Sequence, residues 1–206
     1  MFSQLANIWR VHDLRNKLLF VVILVAVYRL GVFIRVPGVD AIAIEQLRES
    51  ASQQGALGFL NLFSGGAFES FSIFALGIMP YITASIIMQV LGVVIPKLEE
   101  LQNEGAVGQR KITQYTRYVT IGLATLQSTG LVFIFGTGRG TAFFSAASAA
   151  PTVPLLPDGV WPRGYLIIPT LVAGTAVLMW MAEMISQRGI GNGMSMIIFA
   201  SVVASL

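Results

Sequence analysis

A short apolar run that breaks at glycines and then passes into a much longer one constrains this chain more than any other feature. Ser70 to Ile95 (SFSIFALGIMPYITASIIMQVLGVVI) is 26 residues without a charged side chain. As one helix at 1.5 Å per residue it would extend about 39 Å, more than the roughly 30 Å hydrocarbon core of a bilayer. It must tilt or kink if it spans. Gly77 and Pro80 offer the place, because Pro80 has no N–H to give the Leu76 carbonyl. Ahead of it lies LGFLNLFSGG, residues 57–66, whose apolar run is too short to cross and whose Ser64-Gly65-Gly66 ends any helix it forms. A short apolar helix, a glycine break and a spanning helix read as a re-entrant piece. Backbone that breaks at membrane depth is tolerated only inside protein or against a water-filled cavity. A cavity with something folded into it is therefore expected.

Composition agrees with a bilayer environment. Of 206 residues, 55% are hydrophobic and 11% charged, with a mean hydropathy of +0.75, whereas soluble domains carry about 25% charged residues. The expected fold class is an all-α membrane protein, a polytopic helix bundle. Zero cysteines exclude a disulfide framework and a thiolate metal site and leave the redox compartment open. The formal charge of +3 comes without a long run of Lys and Arg, so direct nucleic-acid binding has little support.

In chain order, Leu5, Ile8, Trp9 and His12 recur at helical spacing in residues 1–17 among Arg10, Arg15 and Lys17, which suits a short interfacial helix. A first span follows at 18–35. Its internal Arg29 reads as snorkelling or structurally paired rather than as part of a transport path. Residues 37–56 form a polar loop. After the 57–66 and 70–95 unit, a charged loop over 96–117 breaks at Gly105 and Gly108. Further spans are expected at 118–135 and 165–185, separated by an irregular external loop over 136–164. Ser186–Gly193 reads as a tight turn and 194–206 as the start of a fifth span. That last run is about 20 Å long as a helix, too short to cross, so the chain reads as the N-terminal portion of something larger. Arg10, Arg15, Lys17, Lys97, Arg110, Lys111, Arg117 and Arg188 fall on one side, against Arg35, Arg48, Arg139 and Arg163 on the other. The excess of basic residues places the N-terminus in the cytoplasm.

Nothing in the sequence assembles catalysis. There is no G-x-x-x-x-G-K-[ST] phosphate loop, no HExxH, and a single histidine, so neither nucleotide-driven work, a His-based metal site nor a cofactor is expected. The triplets Gly136-x-Gly138-x-Gly140 and Gly189-x-Gly191-x-Gly193 follow no strand and read as turns. Glu183, near a helix end, is expected to meet Arg188 or water. The informative surface is on the long helix, where Ile78, Ile82, Ser85, Ile86, Gln89 and Val93 share one side. That face has no charge. It suits a dewetted constriction that excludes ions, although ordinary helix packing gives the same spacing.

Two stretches, FALGIMPYITASIIMQ (Phe74–Gln89) and LMWMAEMISQRGIGNGMSMIIF (Leu178–Phe199), resemble the signature regions of the SecY family, channel subunits of the bacterial protein translocon. GQRKITQYTRY (Gly108–Tyr118) and NLFSGGAF (Asn61–Phe68) resemble the family too. The resemblance implies the N-terminal half, helices one to five, of a ten-helix inverted-repeat channel. Such a channel passes unfolded secretory polypeptides across the plasma membrane and releases transmembrane segments sideways into lipid. It implies a plug over Leu57, Phe59, Leu60, Asn61, Leu62, Phe63, Ser64, Gly65 and Gly66. It implies a pore ring that includes Ile82, Ile86, Met194 and Ile198, with Met194 standing where isoleucine is usual. It implies a lateral gate wall at Ile78, Ser85 and Gln89, and a cytoplasmic partner-facing surface at Arg110, Lys111, Arg117 and Arg188. Implied partners are SecE and SecG subunits, a SecA motor or a ribosome with its RNA, signal peptides and lipid. The alternative from another class is half of an inverted-repeat secondary transporter. That reading lacks an intramembrane carboxylate at the break, where only Glu69 lies, at an edge. A membrane enzyme ranks third and lacks a nucleophile–base pair.

Overall fold

The structure is a computed structural model and describes residues 12–39, 44, 64–136 and 160–205. Among the described residues it is helical, with no strand beyond a single antiparallel bridge between Arg35 and Ser72. Six helices follow in order: α1 (His12–Val32), α2 (Met79–Val94), α3 (Pro96–Asn103), α4 (Ala106–Gly136), α5 (Val160–Arg188) and α6 (Gly193–Ser205). The packing is dominated by α4 against α5 and α2 against α4, with α6 and α1 laid on α5.

Helix α1 starts earlier than the expected first span. Asp13 sits in the first turn, where a carboxylate meets the positive end of the helix dipole, and pairs with Lys17 at 3.2 Å. The polar stretch 12–17 is thus continuous with the span, and the rest of the expected interfacial helix lies outside the described residues. The helix also stops short of residue 35. Val36 N–H donates to the Phe71 carbonyl at 3.1 Å and Ile73 N–H to the Ile34 carbonyl at 3.0 Å, so the chain leaves α1 to pair with the segment before α2.

The largest departure from the sequence reading is at 70–95. It is not one long helix kinked at Pro80. Residues 65–78 form consecutive turns, and α2 begins only at Met79. Gly77 has φ +58°, a left-handed conformation that a helix cannot contain, and Phe71 takes φ +46°. Pro80 is buried in the first turn of α2, where a missing N–H costs nothing because first-turn donors have no intrahelical partner. The sequence signs taken for a kink mark a helix start. The turns are closed by short bonds such as Ser72 N–H to Ala67 O, 2.9 Å, and Gly77 N–H to Phe74 O, 2.8 Å.

The expected 96–117 loop is helical as well. Ile95 is extended (φ −101°, ψ 113°), as a residue before proline prefers, and Pro96 opens α3. The axis turns by 101° between α2 and α3. Gly105 (φ +69°) makes the break before α4. Gly108 is no break: it lies inside α4, where an added Cβ would sit 1.6 Å from the Leu101 carbonyl oxygen. In α4 the hydroxyls of Thr113, Thr116, Thr120, Thr125 and Thr129 each donate to the carbonyl four residues back, so they need no water.

Two apolar clusters hold the bundle. One joins Phe68, Phe71, Ala75 and Leu76 to Ala124, Val132, Ile167 and Leu171. The other joins Val21, Tyr28, Phe74 and Ile78 to Leu178, Met181, Ile185 and Ile197. The turn segment 64–78 is thus the centre of the packing, pressed so closely that an added Cβ on Gly174 would lie 2.0 Å from the Ile73 carbonyl oxygen. By length and composition, Arg163–Arg188 within α5 is a candidate membrane span, and α2 with α3 adds a second if a chain bent by 101° is taken as one. α1 carries Arg15, Lys17 and Arg29 along its length.

Candidate functional site

A cavity of about 670 Å³ opens between α2, α6 and the turn joining α5 to α6. Tyr81, Ile82, Ser85, Ile86 and Gln89 line it from α2, at spacings that share one helical face. Met194 and Ile198, one turn apart on α6, line the facing wall, and Ser186, Gly191 and Asn192 close the end. No charged side chain belongs to this described lining.

The α5–α6 turn is built to bring α6 against α5. Gly191 takes φ +75°. Asn192 caps α6 by accepting the Met194 N–H on Oδ1 at 3.0 Å, and Ser186 Oγ accepts the Gly193 N–H at 2.9 Å. An added Cβ on Gly193 would meet the Ala182 carbonyl oxygen at 1.9 Å. The glycine triplet of the sequence is therefore a turn that sets where Met194 and Ile198 point.

All four residues of the expected ring lie in this one cavity. Ile86 is 55% exposed, while Ile82, Met194 and Ile198 are half-buried. Ser85 and Gln89 join them and lie within 3.5 Å of each other. Ile78 does not: it precedes α2 and is buried in the second apolar cluster, because the helix begins after it. Val93 is 80% exposed and outside the cavity. Of the expected plug, Ser64, Gly65 and Gly66 are described, and Leu57, Phe59, Leu60, Asn61, Leu62 and Phe63 lie outside the described residues. Tyr81, Ser186 and Asn192 were missed by sequence reasoning. Tyr81 stands four residues before Ser85 and eight before Gln89 on the same face, and an asparagine just ahead of an apolar run is an N-cap signal.

Arg110, Lys111 and Arg188 are exposed, and Lys111 lies 3.6 Å from Glu104. Arg117 differs: its guanidinium grips Glu183 through Nε to Oε1, 2.9 Å, and through Nη2 to Oε2. Glu183 therefore meets Arg117 on α4 rather than Arg188, and Arg117 is half-committed to the bundle. Arg29 is structurally paired. Its Nη1 donates to the Gly65 carbonyl at 2.7 Å and its Nη2 to the Ala204 carbonyl at 3.0 Å, with the guanidinium 5.7 Å from the Phe33 ring centre. Among the described residues no cluster of His, Cys, Asp or Glu could hold a metal ion.

Apolar helices, one pair of them sharply bent, packed around a cavity whose described lining carries no charge define a partial polytopic helix bundle. Comparison with known proteins narrows the class. The SecY family model matches residues 72–206, and the chain belongs to the SecY family. It is 48% identical over all its length to the protein translocase subunit SecY of Streptomyces galbus, and covers 46% of that protein. It is 48% identical over 94% of its length to the protein of the same name from Thermus thermophilus, covering 42% of it. The chain thus spans a little under half the length of these relatives. Its fold resembles Sec61 in the canine ribosome-channel complex from the endoplasmic reticulum, with TM-score 0.54 and 22% identity over 91% of this chain and 36% of that one. A structure of a protein conducting channel matches to the same extent.

Proposed function

We propose that the chain forms the N-terminal half of a protein-conducting channel in the bacterial plasma membrane, with its N-terminus in the cytoplasm. Secretory polypeptides pass through it and transmembrane segments leave it sideways into lipid. The observation that carries this reading is the convergence of Ile82, Ile86, Met194 and Ile198 on one cavity without a charged wall. A pore that passes every kind of sequence can offer no specific hydrogen bonds. It needs a compliant apolar collar that water leaves when the pore is empty. Isoleucine and methionine supply this at any pH, and methionine reshapes by rotamer change. A coupled transporter would place carboxylates in such a cavity, and the described lining has none.

In this reading Ser85 and Gln89 belong to a lateral gate, and residues 57–66 form a movable plug hinged at Gly65-Gly66. Exposed Arg110, Lys111 and Arg188 face a cytoplasmic SecA motor or a ribosome and its RNA. SecE and SecG complete the assembly. The chain performs no covalent chemistry, and the driving energy comes from those partners.

The test uses the full-length protein in planar bilayers. Replacing Ile82 and Ile86 together by Asn costs only about a few tenths of a kcal/mol each in helix propensity, so α2 persists. The collar is hydrated and resting ion conductance rises. Deleting residues 57–66 raises conductance independently. If the double substitution conducts no more than its parent, both with and without residues 57–66, these isoleucines are ordinary packing.

A further inference from the structure

The two walls of the cavity are tied together at a point remote from the cavity itself. One wall, α2, is reached through the turn segment 64–78; the other is α6. Tyr28 and Arg29, adjacent on α1, bridge Ser64 and Gly65 to Ser201 and Ala204. The Tyr28 hydroxyl, on a side chain only 2% exposed, donates to the Ser64 carbonyl at 3.0 Å and lies 2.7 Å from Ser201 Oγ. Ser201 Oγ also reaches the Ile197 carbonyl at 2.9 Å. Two hydroxyl protons are shared among these three contacts, so two of them are hydrogen bonds at any one time. Arg29 repeats the bridge one residue on, reaching the Gly65 and Ala204 carbonyls.

The bridge leaves no slack. Gly65 takes φ +63°, and an added Cβ there would meet both Ser201 Cα and the Tyr28 hydroxyl at 3.1 Å. The Tyr28 ring stacks on Phe74 with centroids 5.8 Å apart, and Phe74 in turn fills the space beside Gly31. Among the described residues no carboxylate pairs with Arg29, whose charge is satisfied by carbonyls and by the Phe33 ring. Parting the two walls breaks several bonds at once.

We propose that Tyr28 and Arg29 are a brace that fixes the aperture of the cavity, by holding the segment that leads into α2 against α6. The proposal rests on the channel reading and adds positioning residues to it, outside the cavity. Ser201 is three residues beyond Ile198 and Ser64 fifteen before Met79, so freeing either contact lets its wall drift while the lining stays unchanged.

The test measures resting conductance of the full-length protein, purified with its partner subunits, in planar bilayers, alongside its abundance and protease resistance in membranes. Tyr28→Phe keeps the ring on Phe74 and removes both hydroxyl contacts. Ser201→Ala removes only the tie to α6. Each raises resting conductance per channel, by about five-fold for Tyr28→Phe, the shift that loss of one ordinary buried hydrogen bond makes in a two-state equilibrium. Abundance stays at the parent level, and the double variant matches Tyr28→Phe alone. Unchanged conductance, a drop in abundance without a change per channel, or additive effects in the double variant each overturn the brace. Ile82→Asn with Ile86→Asn, run in parallel, separates the two claims. Silence there, both with and without residues 57–66, sinks the collar on which the channel reading rests, whereas a response there with silence at Tyr28 and Ser201 sinks the brace alone.

Discussion

Glu183 on α5 receives two hydrogen bonds from a single guanidinium, that of Arg117 on α4. The partners are unequally placed, since the Glu183 side chain is 11% exposed and that of Arg117 40%. Removing the cation strands a nearly buried carboxylate, whereas removing the anion leaves a cation that water can reach. Arg117→Ala should therefore destabilise by about 2–4 kcal/mol, at the lower side of what breaking a buried pair costs because Arg117 is partly solvated. Glu183→Gln should cost about 1 kcal/mol. Thermal unfolding of the purified protein in detergent compares them, and equal losses would contradict the asymmetry.

Gly77 and Pro80 should respond unequally to alanine. Gly77→Ala places a side chain at φ +58° with its nearest neighbour 3.7 Å away. The cost is then conformational, about 1–2 kcal/mol. Pro80→Ala in the first turn of α2 should change stability by less than about 1 kcal/mol. A large loss at Pro80 with none at Gly77 would restore the reading of a single kinked helix.

Gly174 and Gly31 are both crowded, but by different atoms. An added Cβ on Gly174 meets the Ile73 carbonyl oxygen, which is backbone and cannot rotate away; on Gly31 it meets the Phe74 ring at 2.1 Å. Gly174→Ala should cost about 3 kcal/mol or more and resist rescue. Gly31→Ala should recover part of its loss when combined with Phe74→Leu. Protease resistance of the membrane-embedded protein reads both, and rescue at neither or both positions would overturn the distinction.

Orientation is checked by single cysteines at exposed Pro37 and Glu100, since this segment has none of its own. In sealed vesicles of the full-length protein they should react with an impermeant maleimide from opposite faces. Reaction from one face would remove the proposed membrane topology.

The apolar face of α2 was legible because helical periodicity leaves a direct trace: Ile82, Ser85, Ile86 and Gln89 share a cavity wall that spacing alone puts on one side, whereas Met194 and Ile198 on α6 were reached only through the family resemblance. What failed was the reading of punctuation. A glycine and a proline three residues apart, Gly77 and Pro80, signal an interruption, yet the same pair fits a kink inside a helix and the start of a new one. Only the carbonyl and amide partners of 64–78 decide between them. The ties made by Tyr28, Arg29 and Arg117 span up to 175 residues and leave no local pattern, so no window of sequence could have matched Glu183 to Arg117 instead of Arg188.

The near-perpendicular joint between α2 and α3 has a mechanical consequence. Gln102 packs against Gly92, and the Leu101 carbonyl lies against Gly108, so α3 cannot swing independently of its neighbours. A short rod fixed at 101° to a longer one is a crank. A sideways push of about 2 Å at the far end of α3, whose arm is about 12 Å long, twists α2 about its own axis by about 10°. Because α3 is seated on α4 as well, torque applied at that corner is shared by both helices, and the row from Tyr81 to Gln89 turns only as α4 gives way.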